Sequence, residues 1–164
     1  MLNKFITMKK ITLFILISGL LFTFSCKKDS KITDIVNVSA SMKCKINGTS
    51  WTAITRVTTK QGNTFLINGT GSIGSEVLNI TVLGTTTGTY TLDPLSSLTQ
   101  FSANLTNSSG VTDSLYTAYE GTVTLSSVDT TSKKISGSFS FKAKNMLLNN
   151  KQITDGTFTS LTYQ

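Results

Sequence analysis

Ile135-Ser-Gly-Ser-Phe-Ser-Phe-Lys-Ala143 is the stretch that decides the fold class. In an extended strand successive side chains point to opposite faces. Ile135, Phe139 and Phe141 then share one face, while Ser136, Ser138, Ser140 and Lys142 share the other. Alternation of this kind marks a strand buried on one side. The same period of two recurs on both sides of it. Val123 and Leu125 alternate with Thr122, Thr124 and Ser126. Leu78, Ile80 and Val82 form a third set, and Met42, Cys44 and Ile46 alternate with Ser41, Lys43 and Lys45. No stretch after residue 30 carries a 3.6-residue apolar stripe.

Turn signals punctuate these runs at Asn47-Gly48, Asn68-Gly69, Gly84, Gly88, 107–110, Gly121, Asn149-Asn150 and Gly156. Asn-Gly pairs accept the positive φ of tight hairpin turns. Nine or ten strands are predicted, near 41–46, 51–58, 63–68, 76–83, 88–92, 99–104, 115–119, 121–128, 134–144 and 153–163. Gly88, Gly121, Gly137 and Gly156 each open a Gly, hydroxyl, bulky, hydroxyl string, read as a glycine turn leading into a strand. Their spacing is too irregular for a solenoid. Many one-sided strands joined by short turns make an all-β, antiparallel β-sandwich, with a closed β-barrel as the alternative.

The chain begins MLNKFITMKKITLFILISGLLFTFSCKKDS. Lys9 and Lys10 precede an apolar run from Ile11 to Phe24, too short for a comfortable spanning helix. A basic start, a short apolar run and a small residue before the cut make a signal peptide. Either Met1 or Met8 serves as its start. Ser25-Cys26 resembles the lipobox of bacterial lipoproteins, although Thr23 and Phe24 depart from the preferred residues. That resemblance implies a diacylglycerol on the Cys26 sulfur and cleavage in front of it. The expected organisation is a signal-peptide helix over 1–25, a flexible tether over 26–38 and an all-β domain over 39–164. The run Cys26-Lys27-Lys28-Asp29-Ser30 is similar to the start of lipoproteins from the Bacteroidota, where acidic residues after the cysteine direct surface export. Only Asp29 supplies that acid close by.

The formal charge of +7 is concentrated around this segment, in Lys4, Lys9, Lys10, Lys27, Lys28 and Lys31. The body has no basic cluster of the kind nucleic acid requires, so nucleic acid is not an expected partner. Histidine is absent, which removes imidazole bases and histidine-ligated metals. Two cysteines cannot build a zinc site, and no cofactor is expected. Gly69-Thr-Gly-Ser-Ile-Gly74 matches a dinucleotide fingerprint in letters only, because a strand-like run and not a helix follows it. A glycosidase would need two carboxylates from Asp93, Asp113, Glu120 and Asp155 brought together in one cleft.

Few residues remain as candidate sites. Trp51 follows a turn and is either an exposed ring for stacking on a sugar or, the stronger reading, core packing. Tyr116 and Tyr119 are candidates for ligand stacking too, but three residues apart they face opposite ways unless a bulge intervenes. Asp113-Ser114-Leu115 and Asp129-Thr130-Thr131 resemble Bacteroidota O-glycosylation sequences, with Ser114 and Thr130 as acceptors. Cys44, on an apolar face with no histidine, reads as a small buried hydrophobe.

The strings Lys45-Ile-Asn-Gly-Thr-Ser-Trp-Thr-Ala53, Gly88-Thr-Tyr-Thr-Leu92, Gly121-Thr-Val-Thr-Leu125, Ile135 to Ala143 and Ile153-Thr-Asp-Gly-Thr-Phe158 occur in this order. Together they resemble a group of small Bacteroidota lipoproteins carrying a domain of unknown function. The resemblance implies an all-β extracytoplasmic domain and brings no catalytic residues. The expectation is a non-enzymatic binding or envelope-structural module, held to a membrane, with the outer membrane foremost, through lipid on Cys26. The alternative is a carbohydrate- or ligand-binding accessory lipoprotein of a nutrient-uptake system. A glycan or an envelope protein is the expected soluble partner.

Overall fold

The computed structural model describes residues 40–72, 76–93, 95, 99–107 and 114–164. The signal peptide, the tether and Cys26 lie outside the described residues. Val36–Gln164 forms one compact unit.

Among the described residues ten strands build it: β1 (Ser41–Ile46), β2 (Thr49–Thr52), β3 (Thr55–Gln61), β4 (Thr64–Thr70), β5 (Glu76–Val82), β6 (Gly88–Leu92), β7 (Phe101–Asn107), β8 (Leu115–Asp129), β9 (Lys134–Lys144) and β10 (Asn150–Thr162). The all-β, antiparallel expectation holds. The layers come from one sheet that curls on itself as a half-barrel. Its order is β2-β1-β10-β9-β8-β7-β5-β4-β3, with β6 paired to β8 beyond the end of β7. The four alternating sets named from the sequence all reach the concave side: Met42, Leu78, Ile80, Val123, Leu125, Ile135, Phe139 and Phe141 are buried in a single core.

Bulges account for the curl. β10 carries an extra residue twice against β9, between Ile153 and Gly156 and between Phe158 and Leu161. Asp155 and Ser160 take positive φ at these points. β8 carries an extra residue twice as well, between Ala118 and Glu120 and between Leu125 and Ser127. Each extra residue bends its strand and increases the local twist. Both strands that flank β9 are therefore the longer partners, and they coil around it.

The recurring glycine string is corrected in meaning. Gly88 does open β6, but Gly121, Gly137 and Gly156 lie inside β8, β9 and β10. Each faces a phenylalanine across the sheet: Gly121 with Phe141, Gly137 with Phe158 and Gly156 with Phe139. A Cβ at Gly156 would run into the Phe139 ring and carbonyl, and one at Gly121 into Phe141 and the Ser140 carbonyl. Glycine inside a strand marks close approach, and here the space goes to aromatic rings at Gly137 and Gly156 and to neighbouring backbone and the Phe141 Cβ at Gly121. Hence 115–119 and 121–128, predicted as two strands, are one. Conversely 51–58 divides at Ala53, where Ile54 N–H turns to the Thr70 carbonyl at 2.8 Å.

The last residues draw the two sheet ends together. Thr58 and Tyr163 form a parallel bridge, and Lys60 N–H donates to the Gln164 carbonyl at 2.8 Å. The Tyr163 ring meets Phe65 edge-on at 5.1 Å.

Candidate functional site

One end of the half-barrel gathers the polar side chains that point inward. β5 continues its buried phase, Val82, Ile80 and Leu78, back to Glu76. β10 does the same from Ile153 to Lys151, which pairs across the sheet with the buried Ala143. The two strands stand on opposite walls, and Lys151 Nζ meets Glu76 Oε1 at 2.7 Å with side chains 15% and 21% exposed. The ammonium also lies 4.7 Å from the centre of the Tyr116 ring, a cation–π contact from β8. The indole N–H of Trp51 donates to the Glu76 carbonyl at 3.0 Å. Five strands are thus clasped at a single point, because Trp51 lies opposite Cys44 of β1.

Trp51 is 5% exposed, so it belongs to the core and offers no ring face for sugar stacking. The reason lies in register: pairing with Cys44 sets it on the inner face, over Gly69, where a Cβ would stand 2.9 Å from the indole. Tyr116 joins Trp51 in the clasp, packed against the core. Tyr119 is the extra residue of the first β8 bulge and lies under Lys144, whose Nζ is 5.2 Å from the ring centre. The two tyrosines do not form a shared platform. Ser114, half-buried, precedes β8, and Thr130 is exposed beyond its other end. At Thr130 the Asp129 carboxylate accepts from the backbone N–H of Thr131 and Ser132, both at 2.9 Å. The Ser132 hydroxyl, then these backbone bonds, hold Asp129 below its usual pKa. Glu76 and Lys151 were legible as a pair only through the phase of the alternation, which sets both on an apolar face.

The described carboxylates are committed elsewhere. Glu120 pairs with Lys142 at 3.1 Å beside a shallow recess on β8, β9 and β10, and Asp155 pairs with Lys45 at 2.9 Å. Asp93 accepts from Leu95 N–H at 2.8 Å. Among the described residues no three histidine, cysteine, aspartate or glutamate side chains gather as a metal site.

Cys44 is a free, buried thiol, as its alternation implies. Burial, then the nearby Glu76 charge, pushes it up from 9.0 to about 12. The thiolate is the nucleophile, so Cys44 is inert at neutral pH. In a Cys26→Ala chain, iodoacetamide is expected to modify Cys44 only after denaturation; rapid labelling of the folded chain would contradict this placement. The unfolded thiol ionises near its ordinary value while the folded one keeps its proton. The stabilisation from a raised pKa is complete below about pH 9 and is lost as pH rises towards about 12. The urea midpoint is therefore expected to fall more steeply from pH 8 to pH 10.5 than that of Cys44→Ala. Equal slopes would contradict it.

Compared with known families, residues 38–162 match the one described as a domain of unknown function, DUF6252. No curated protein and no solved structure matches the chain.

Proposed function

The chain belongs to the DUF6252 family, and on that premise we propose that it is a membrane-tethered, non-catalytic module of the cell envelope, anchored through lipid on Cys26. The observation that carries the reading is the division of labour between two thiols. Cys44 is sealed in the core with its pKa pushed up to about 12. Cys26 ends a short apolar run behind Lys9 and Lys10, directly after Ser25. One acyl chain holds a protein weakly, whereas two or three make a stable anchor. The non-catalytic part is supported by the described carboxylates, which are held in ion pairs and turns, and by a sequence without histidine. The outer membrane is the proposed site, with Asp29 as the export signal.

Cys26→Ala is expected to abolish metabolic incorporation of fatty acid and to remove the mature chain from the membrane fraction. Labelling and fractionation at the wild-type level would rule the anchor out. Protease added to intact cells then separates the two leaflets: cleavage places the domain outside, protection places it in the periplasm.

A further inference from the structure

We propose that the loop between β9 and β10 is a second membrane contact, a preformed apolar tip that enters the headgroup region of an anionic bilayer. The proposal extends the membrane-tethered reading, which it needs only to bring the tip within reach of lipid. Met146, Leu147 and Leu148 are consecutive and 88%, 61% and 70% exposed. Three exposed apolar residues in a row count against a purely solvated loop unless they serve a contact.

The loop is built to present them. Asn145 is buried and forms its base: its N–H donates to the Asn149 carbonyl at 3.1 Å, and its side-chain Oδ1 accepts from Asn149 N–H at 2.9 Å. Leu148 N–H donates to the Asn145 carbonyl at 3.1 Å, and Leu148 takes φ of 63°. Left-handed backbone at a leucine is unfavourable. Strain held in place by surrounding bonds is an observation from which function can be inferred.

The collar around the tip matches a bilayer interface. Lys144, at the loop base, lies over the Tyr119 ring and forms no ion pair among the described residues, and Leu115, 50% exposed, opens β8 two residues before Thr117, the partner of Lys144. Lys144 lies next to the apolar tip, with Tyr119 behind it at the level of Ala143 and Lys142, and an apolar tip backed by a lysine and a tyrosine suits the interface of an anionic bilayer. The reach is sufficient. Residues 27–39 span at most about 45 Å when extended. The start of β1, paired with Thr159, lies about 30 Å along β10 from the loop base.

The test uses the acylated full chain on vesicles of phosphatidylcholine with phosphatidylglycerol. Leu147→Cys carries an environment-sensitive dye, and Thr131→Cys at the far end of β8 is the control. The expected result is a blue shift and quenching by lipid-borne quenchers at 147 alone. Met146→Ser/Leu147→Ser/Leu148→Ser, applied to the unacylated Cys26→Ala domain, is expected to lower vesicle partition at least about tenfold, since burying one leucine is worth about that factor, with circular dichroism unchanged. A water-exposed dye at 147 on a chain that stays on the vesicles overturns the tip and leaves the anchor standing. A blue shift at 147 on a chain with native Cys26 that mass spectrometry shows to carry no lipid after membrane expression supports the tip and overturns the anchor. A shift that needs an added envelope protein overturns the lipid assignment.

Discussion

Phe158→Ala is expected to lower the unfolding free energy by about 3–5 kcal/mol, the cost of removing a fully buried phenylalanine. The residue is 1% exposed, its ring stacks on Phe139 at 6.4 Å, and it covers Gly137 of the neighbouring strand. Truncation would leave a void that the walls cannot fill, because Gly137 and Gly156 contribute no side chain there. The lost ring also uncovers the point where β10 bends between its two bulges. For a domain of this size the melting temperature should fall by about 10–20 °C. Phe158→Leu should recover part of that loss. A change below about 1 kcal/mol in urea denaturation would mean that the aromatic and glycine pairs do not organise the core.

The second large effect concerns the clasp. Removing one member of a fully buried ion pair costs about 3–5 kcal/mol because the other charge stays behind in a poor solvent. Glu76 and Lys151 are mostly but not wholly buried, so Glu76→Leu or Lys151→Met alone should cost about 1–3 kcal/mol. The double replacement should restore much of it, since an apolar pair leaves no stranded charge. A double-mutant cycle isolates the coupling. A coupling near zero would show that the contact is incidental. Tyr116→Leu should weaken the clasp by about 1 kcal/mol through the lost cation–π contact.

The central strands were plain in the sequence because they obey one rule without interruption. β1, β5 and β9 alternate strictly, and their predicted and observed bounds agree to within a residue. β10 was harder. Its inward residues run Ile153, Gly156, Phe158, Leu161 and Tyr163, two steps of three among steps of two. Those longer steps are the bulges, and a strict period of two has no place for them. The glycines misled for a related reason. A glycine before a Thr-rich strand and a glycine opposite a phenylalanine look alike until the partner strand is known. The clasp was hidden in the same way: Glu76 and Lys151 are separated by 75 residues, and only the curl of the sheet brings them together. The apolar tip was visible as letters, but Met146-Leu147-Leu148 reads as ordinary core until the loop turns it outward.

The closure of the half-barrel bears on when the chain can fold. β1 pairs with β2 on one side and with β10 on the other, and Thr58 bridges to Tyr163, so the second partner of β1 and the seal on β3 come only with the last strand of the domain. A nascent chain lacking β10 has only β2 beside β1, nothing on the outer side of β9, and no seal between β3 and the opposite wall. Such long-range topology folds slowly, on the order of milliseconds to seconds. The wall of β1 and β2 therefore stays apart from β9 until β10 is present to join them. If the chain is exported as an extended thread, as the proposed anchor requires, that delay would serve the purpose of a holding chaperone, written into the strand order.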